Sequence, residues 1–167
     1  MIYAEAARIL LDYNYAQHDR IWASIDTLTD EQFVEPVEYS IGSLRNHMVH
    51  LMSVDRRWMA RVLGTPTPER LIYDAYPTRA AVRAGWDRIV QEMRAAAKTL
   101  TDDDLAREVE FDLPHRGGIK HNYGWQIVAH VVNHGTEHRA QILPLLHRHG
   151  APTFEQDLMI HLWDQPG

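Results

Sequence analysis

No cysteine occurs anywhere in the 167 residues. That excludes a disulfide framework, thiolate metal ligation and any mechanism in which a protein thiol attacks, so a thiol that takes part in the chemistry has to come from outside. Long apolar runs are missing too. No stretch approaches the roughly eighteen residues that a membrane helix needs, and the N-terminal MIYAEAARILL is broken by Glu5 and Arg8 and lacks the basic start of a signal peptide. Basic charge is scarce: 17 Lys and Arg face 23 Asp and Glu, and the formal charge of −6 gives no general attraction for nucleic acid or anionic lipid. These absences predict a cytoplasmic protein with no nucleic-acid partner and no membrane partner. What remains, 45% apolar and 24% charged residues, is ordinary for a soluble protein, and the length suits a single domain over residues 1–167 with a sizeable core.

Hydrophobic periodicity predicts four long helices. The first spans about residues 3–26, where Ile9, Leu10, Tyr13, Ala16 and Ile21 fall close to a 3.6-residue period. The second follows a cap at Ser40 or Ser43 and runs to about Leu63, with Leu44, His47, Leu51, Val54, Trp58 and Val62 on its apolar stripe and His50 on the adjoining flank. The third runs from Thr78 to about Lys98. The fourth covers about Tyr123 to His149, with a kink expected at Pro144 and a stop at Gly150. Short turns with acidic starts are expected at Thr29–Phe33 and Thr101–Leu105, and the alternation of Val109, Phe111 and Leu113 with Glu110 and Asp112 predicts an extended excursion or hairpin before the last long helix. The apolar tail from Phe154 to Trp163 is expected to fold back onto the body. Together these elements predict an all-α four-helix bundle.

Histidine is the residue in excess, with 11 of 167 positions. His18, His115, His121, His147, His149 and His161 read as solvated rings in loops and at helix ends. The other five lie in two helical segments. Spacing by four puts His130, His134 and His138 on one face of the fourth helix, each about 6 Å along the axis from the next. Two imidazoles at i and i+4 can converge on one ion; three in a row rarely do, so one of them belongs to packing or to the surroundings of the site. His50 is the best candidate for a further ligand from another helix, with His47 as the backup. Three neutral imidazoles leave a position open, the pattern of a catalytic rather than a closed structural site, and nitrogen donors fit zinc or nickel best, with iron or manganese next. A histidine-rich structural face is the plain alternative.

Two stretches, SIGSLRNHMVHLMSVDRRW (Ser40–Trp58) and WQIVAHVVNHGTEHRAQILPLLHRHG (Trp125–Gly150), supported by LDYNYAQHDRIW at Leu11–Trp22 and the terminal FEQDLMIHLW, resemble the DinB/YfiT-like superfamily over nearly the whole chain. The resemblance implies a four-helix bundle, often dimeric, with a divalent-metal site of three histidines. Carried over by motif, these are His50, eight residues before Trp58, and His134 and His138 of the NHxxxHR element; His130 and His47 match no ligand of the family. Two positions depart from its pattern. Ala140 stands where glycine is common after the HR pair, and Asp55 stands where glutamate is common, so its reach toward a ligating histidine would be shorter.

What the resemblance implies about activity is metal-dependent hydrolysis of a small-molecule substrate, or transfer or isomerisation using a low-molecular-weight thiol such as bacillithiol, mycothiol or glutathione. The alternative is a non-catalytic, metal- or ligand-binding, stress-associated bundle, in either case as a homodimer. Glu137, Asn133 and Arg139 read as solvated by default, with Arg139 the better anion partner. Asp55 reads as a surface salt bridge to a nearby arginine, or less simply as a partner of a ligating histidine. Tyr13, Trp58, Trp86 and Trp125 read as core before pocket, and Arg56, Arg57 and Arg61 as an ordinary basic helix surface.

Overall fold

A computed structural model describes residues 4–164. The first helix, α1, runs Ala4–Ile25; its expected start at residue 3 lies outside the described residues. The acidic turn after it is α2 (Asp30–Val34), opened by a reciprocal cap in which the Thr29 hydroxyl accepts from Gln32 N (3.3 Å) and the Gln32 side chain accepts from Thr29 N (2.9 Å). Of the two serines that could open α3 (Leu44–Val62), Ser43 does so, accepting from Asn46 N at 3.2 Å. Ser40 instead takes a left-handed conformation (φ 52°) and donates to Gln141 at 2.7 Å. Thr78 caps α4 (Arg79–Thr99), and Thr101 caps α5 (Asp102–Ala106) in the same reciprocal way as Thr29.

The alternating stretch is a hairpin of β1 (Glu108–Leu113) and β2 (Gly118–Tyr123), antiparallel with Phe111 opposite Lys120. It leads directly into α6 (Gly124–Arg148), which accommodates an exposed Pro144 and continues to Arg148. A last short helix, α7, spans Leu158–Trp163.

The four long helices pack in the cyclic order α1, α6, α3, α4, each against two neighbours, which makes the all-α bundle expected from the sequence. Along α1 and α4 the ion pairs Asp19–Arg94 (2.5 Å) and Asp26–Arg83 (4.0 Å) run in opposite chain directions, so these two helices are antiparallel. The core they share is aromatic at its centre: Trp22 and Trp86, both buried, meet edge to face with ring centroids 5.9 Å apart. Gly135 on α6 leaves room for the Asn14 side chain of α1, which a Cβ there would run into.

The tail behaves differently from the expectation in one respect. Residues before α7 are held against the bundle, with Arg20 over the Phe154 ring at 4.0 Å and Arg139 bonded to Gln156 at 2.5 Å. The apolar side chains of α7 itself, however, stay open, with Met159 50% and Trp163 72% exposed. A six-residue helix has too little surface to cover all sides, and the polar anchors in front of it fix its position without sealing those residues.

Candidate metal centre

The facing surfaces of α3 and α6 carry the histidines. Contacts run from His47–His138 through His50–His134 to Trp58–His130, so the two helices are antiparallel and their i, i+4 ladders lie side by side. His50 Nε2 and His134 Nε2 are 3.1 Å apart. One ring nitrogen from each of His50, His134 and His138 falls within 4.8 Å of the others, and no carboxylate joins the group. The ring centroids are 4.4 Å apart for His134–His138, 4.7 Å for His50–His138 and 5.0 Å for His50–His134.

Electrostatics favour lone pairs over protons here. Burial, together with the neighbouring His138, pushes His50 down to about 4; burial and the other three rings push His134 down to about 3. His138 is also lowered, by burial, against the opposing pull of Glu137 and Gln141. Three imidazoles that stay neutral at pH 7 and point their nitrogens into one small volume are a chemically fitting donor set for a divalent cation. The buried His134 Nδ1 has no hydrogen-bond partner among the described residues, so the protein does not occupy that ring from behind.

His130 and His47 stand beside the group. His130 lies with its ring 5.6 Å from that of His134, edge-on against Trp58 at 5.1 Å, and is exposed at the outer end of the ladder. His47 is fully buried, its Nδ1 3.3 Å from His138 Nδ1.

Three expectations are corrected behind this surface. Asp55 is no surface salt bridge: it is 2% exposed, makes no ion pair within 4.0 Å among the described residues, and its Oδ1 has no partner. Burial raises it to about 8 despite the nearby Arg139 charge, so it is a neutral acid at pH 7, and it makes no hydrogen bond to a histidine among those described. Arg139 is not solvated but completely buried, donating to Asn14 Oδ1 (2.6 Å), Thr136 Oγ1 (3.1 Å) and Gln156 Oε1 (2.5 Å). His18, read as a solvated ring, is also completely buried: its Nε2 accepts from Arg139 at 3.2 Å and its ring meets Trp86 edge-on at 5.2 Å. Glu137 and Asn133 are exposed, as expected. Ala140 is exposed as well, so its departure from the family pattern does not touch helix packing.

A signal for this polar layer was present in the sequence. Asn14 and His18 continue the buried series Leu11, Ile21 and Ile25 on α1, and Arg139 continues Val131, Gly135, Ile142 and Leu146 on α6, at spacings of three and four. Polar identity hid what periodicity marked. Of the four aromatics, Trp86 and Tyr13 are buried, Trp125 is 38% exposed, and Trp58 lines a pocket together with the hairpin.

A helical bundle whose two antiparallel central helices converge three neutral histidines defines a class, the bundle proteins with a three-histidine site able to hold a metal. The chain belongs to the DinB family, whose model matches residues 4–166, nearly its whole length. No curated protein matches it. No described helix is long and apolar enough to cross a membrane.

Proposed function

We propose that His50, His134 and His138 hold one divalent ion and that the protein uses it to transfer a low-molecular-weight thiol to a small-molecule electrophile. The observation that carries this reading is the convergence of three neutral imidazole nitrogens within 4.8 Å, without a carboxylate. Zinc or nickel suits an all-nitrogen set best, and iron or manganese follows. When bound, such an ion lowers the pKa of a coordinated thiol or water toward neutrality.

The chain's own residues supply the rest. Transfer of a thiol is favoured over hydrolysis because no described carboxylate hydrogen-bonds to the histidines to manage a water proton, Asp55 being neutral and Glu137 exposed. The positive charge of Arg70 reaches His50 and supplies a cation for a thiol cosubstrate's carboxylates. A cytoplasmic setting, where such thiols are abundant, and a homodimer belong to the same reading, the latter supported by the open apolar side chains of α7.

Metal analysis of untagged protein, beside His50→Ala and His134→Ala variants, tests it. About one ion per chain in the parent and none in either variant is the expected result, followed by thiol consumption that depends on that ion. Absence of a stoichiometric ion after supplementation with zinc, nickel and manganese would leave a histidine-rich, non-catalytic bundle.

A further inference from the structure

The α6 ladder that bears His134 and His138 continues one turn outward to His130 and two turns outward to Gln126. On α3 the ladder from His50 continues through Val54 to Trp58. Where these extensions meet the hairpin, a pocket of about 380 Å³ opens, walled by Trp58, Phe111, Leu113, Ile127 and His130. That is a volume suited to a small organic group, ligand pockets running from about 300 to 1,000 Å³.

Its walls are fixed by aromatic contacts. Trp58 meets Phe111 and His130 edge-on, both at 5.1 Å, and the Arg61 guanidinium lies over Trp58 at 4.5 Å and Phe111 at 5.1 Å. At the hairpin end, Asn122 donates to Gln126 at 3.0 Å, and the same Gln126 oxygen accepts from Tyr123 N. The polar groups there are thus largely occupied with each other. Lys120 is the one charged residue on the lining, and no carboxylate faces the pocket. A larger cleft of about 640 Å³ lies on the other side of Phe111, but it contains no histidine. Its Arg57 and Arg107 are already bonded to the Pro68 and Val62 carbonyls.

We infer that the electrophile brought to the three-histidine centre carries a flat apolar group, neutral or anionic, which seats in this pocket against the wall formed by Trp58, Phe111 and His130. One helical step separates this seat from His134, about 6 Å along the axis, so a reactive end at the histidines and an aromatic body in the pocket belong to one molecule of modest length. The absence of a carboxylate and the presence of Lys120 select against a cationic body. This inference rests on the metal-centre reading and adds the substrate class to it.

Three hydroxamates that share a metal-binding head separate the two claims in zinc-loaded protein: acetohydroxamate, 3-phenylpropionohydroxamate and a trimethylammonium-tailed analogue. Calorimetry is expected to show the phenyl compound binding about tenfold to a hundredfold tighter than acetohydroxamate, the return for taking one ring out of water, and the cationic compound no tighter. Leu113→Trp, at the hairpin edge of the pocket, should abolish the phenyl advantage while leaving acetohydroxamate affinity unchanged. Equal affinities for the three compounds in protein that does bind acetohydroxamate would overturn the pocket and leave the metal centre standing. If the protein takes up no metal, 3-phenylpropionamide titrated calorimetrically into the metal-free chain decides: saturable binding that Leu113→Trp removes upholds the pocket, and no binding removes it.

Discussion

The Nδ1 atoms of His47 and His138 face each other at 3.3 Å across the α3–α6 interface, with His47 completely shielded from solvent. Two neutral rings at that distance share a single proton. If His138 uses Nε2 as a metal donor, its Nδ1 carries that proton and donates it to His47, which fixes both the tautomer and the ring plane of the donor. His47→Phe keeps the volume and removes the acceptor. The expected result is a metal affinity about 10- to 100-fold weaker, with stoichiometry retained at saturating ion. Competition titration against a chromogenic chelator measures it, and an unchanged affinity would reduce His47 to packing.

How much of this centre the sequence disclosed depends on what kind of signal each residue carries. His134 and His138 announce themselves by spacing within one helix, and the four long helices by apolar period and by stops such as Gly64 and Gly150. His50 stands out among the α3 histidines only by its place beside the stripe and by the family motif, because the pairing of two helices is a long-range fact that local pattern does not encode. His18 and Arg139 read as solvated, and Asp55 as a surface ion pair, for a related reason: a buried polar side chain differs from an exposed one in its partners, and Arg139 on α6 finds its partners, Asn14 and His18, on α1. The exposed face of α7 was missed in the opposite sense, since apolar composition argues for burial without naming what does the covering.

That open face leads to a measurable consequence. Met159, Ile160, Leu162 and Trp163 present between 36% and 72% of their surface, more apolar area than a six-residue helix ordinarily leaves in water. Association of two copies through this region is expected. Sedimentation velocity at micromolar concentration should give a dimer for the parent and a monomer for Trp163→Glu. A monomeric parent would remove the dimer from the functional reading.

Asp55 makes stability depend on pH in an unusual direction. Its folded value of about 8 lies far above its ordinary 3.8, so between those pH values the folded chain holds a proton that the unfolded chain has released. Unfolding stability contributed by this group is therefore intact below about pH 4, falls as pH rises, and levels off above about pH 8. The lowered histidines act oppositely, gaining stability as pH climbs through the acid range. Comparing the parent with Asp55→Asn cancels the histidine contribution. The variant should gain at least ~1 kcal/mol relative to the parent on going from pH 5 to pH 8, read from urea unfolding at both. A difference that stays flat across that range would mean that Asp55 is ionised in the folded chain.

Arg139 presents the largest expected loss. Among the described residues its guanidinium is the only charge in a layer that spans α1, α6 and the segment before α7, and burial lowers it only to about 10, so it stays cationic at neutral pH. Removing it by Arg139→Met keeps much of the volume but strands Asn14, His18 and Gln156 without their donor. A cost of about 2–5 kcal/mol is expected, from several buried acceptors each left without a donor at about 1–3 kcal/mol. Arg139→Lys retains the charge but offers a single ammonium to acceptors arranged for a fork, so it should fall between the two. Gly135→Ala tests the same layer from the backbone side, because its new methyl group meets both the Asn14 carboxamide and the Arg139 guanidinium nitrogen that holds it in place. If the layer acts as one unit, Gly135→Ala should cost about 1–3 kcal/mol in the parent and clearly less when added to Arg139→Met, where Asn14 is free to turn away. Strict additivity in that double-variant cycle would show that the glycine and the arginine serve separate ends.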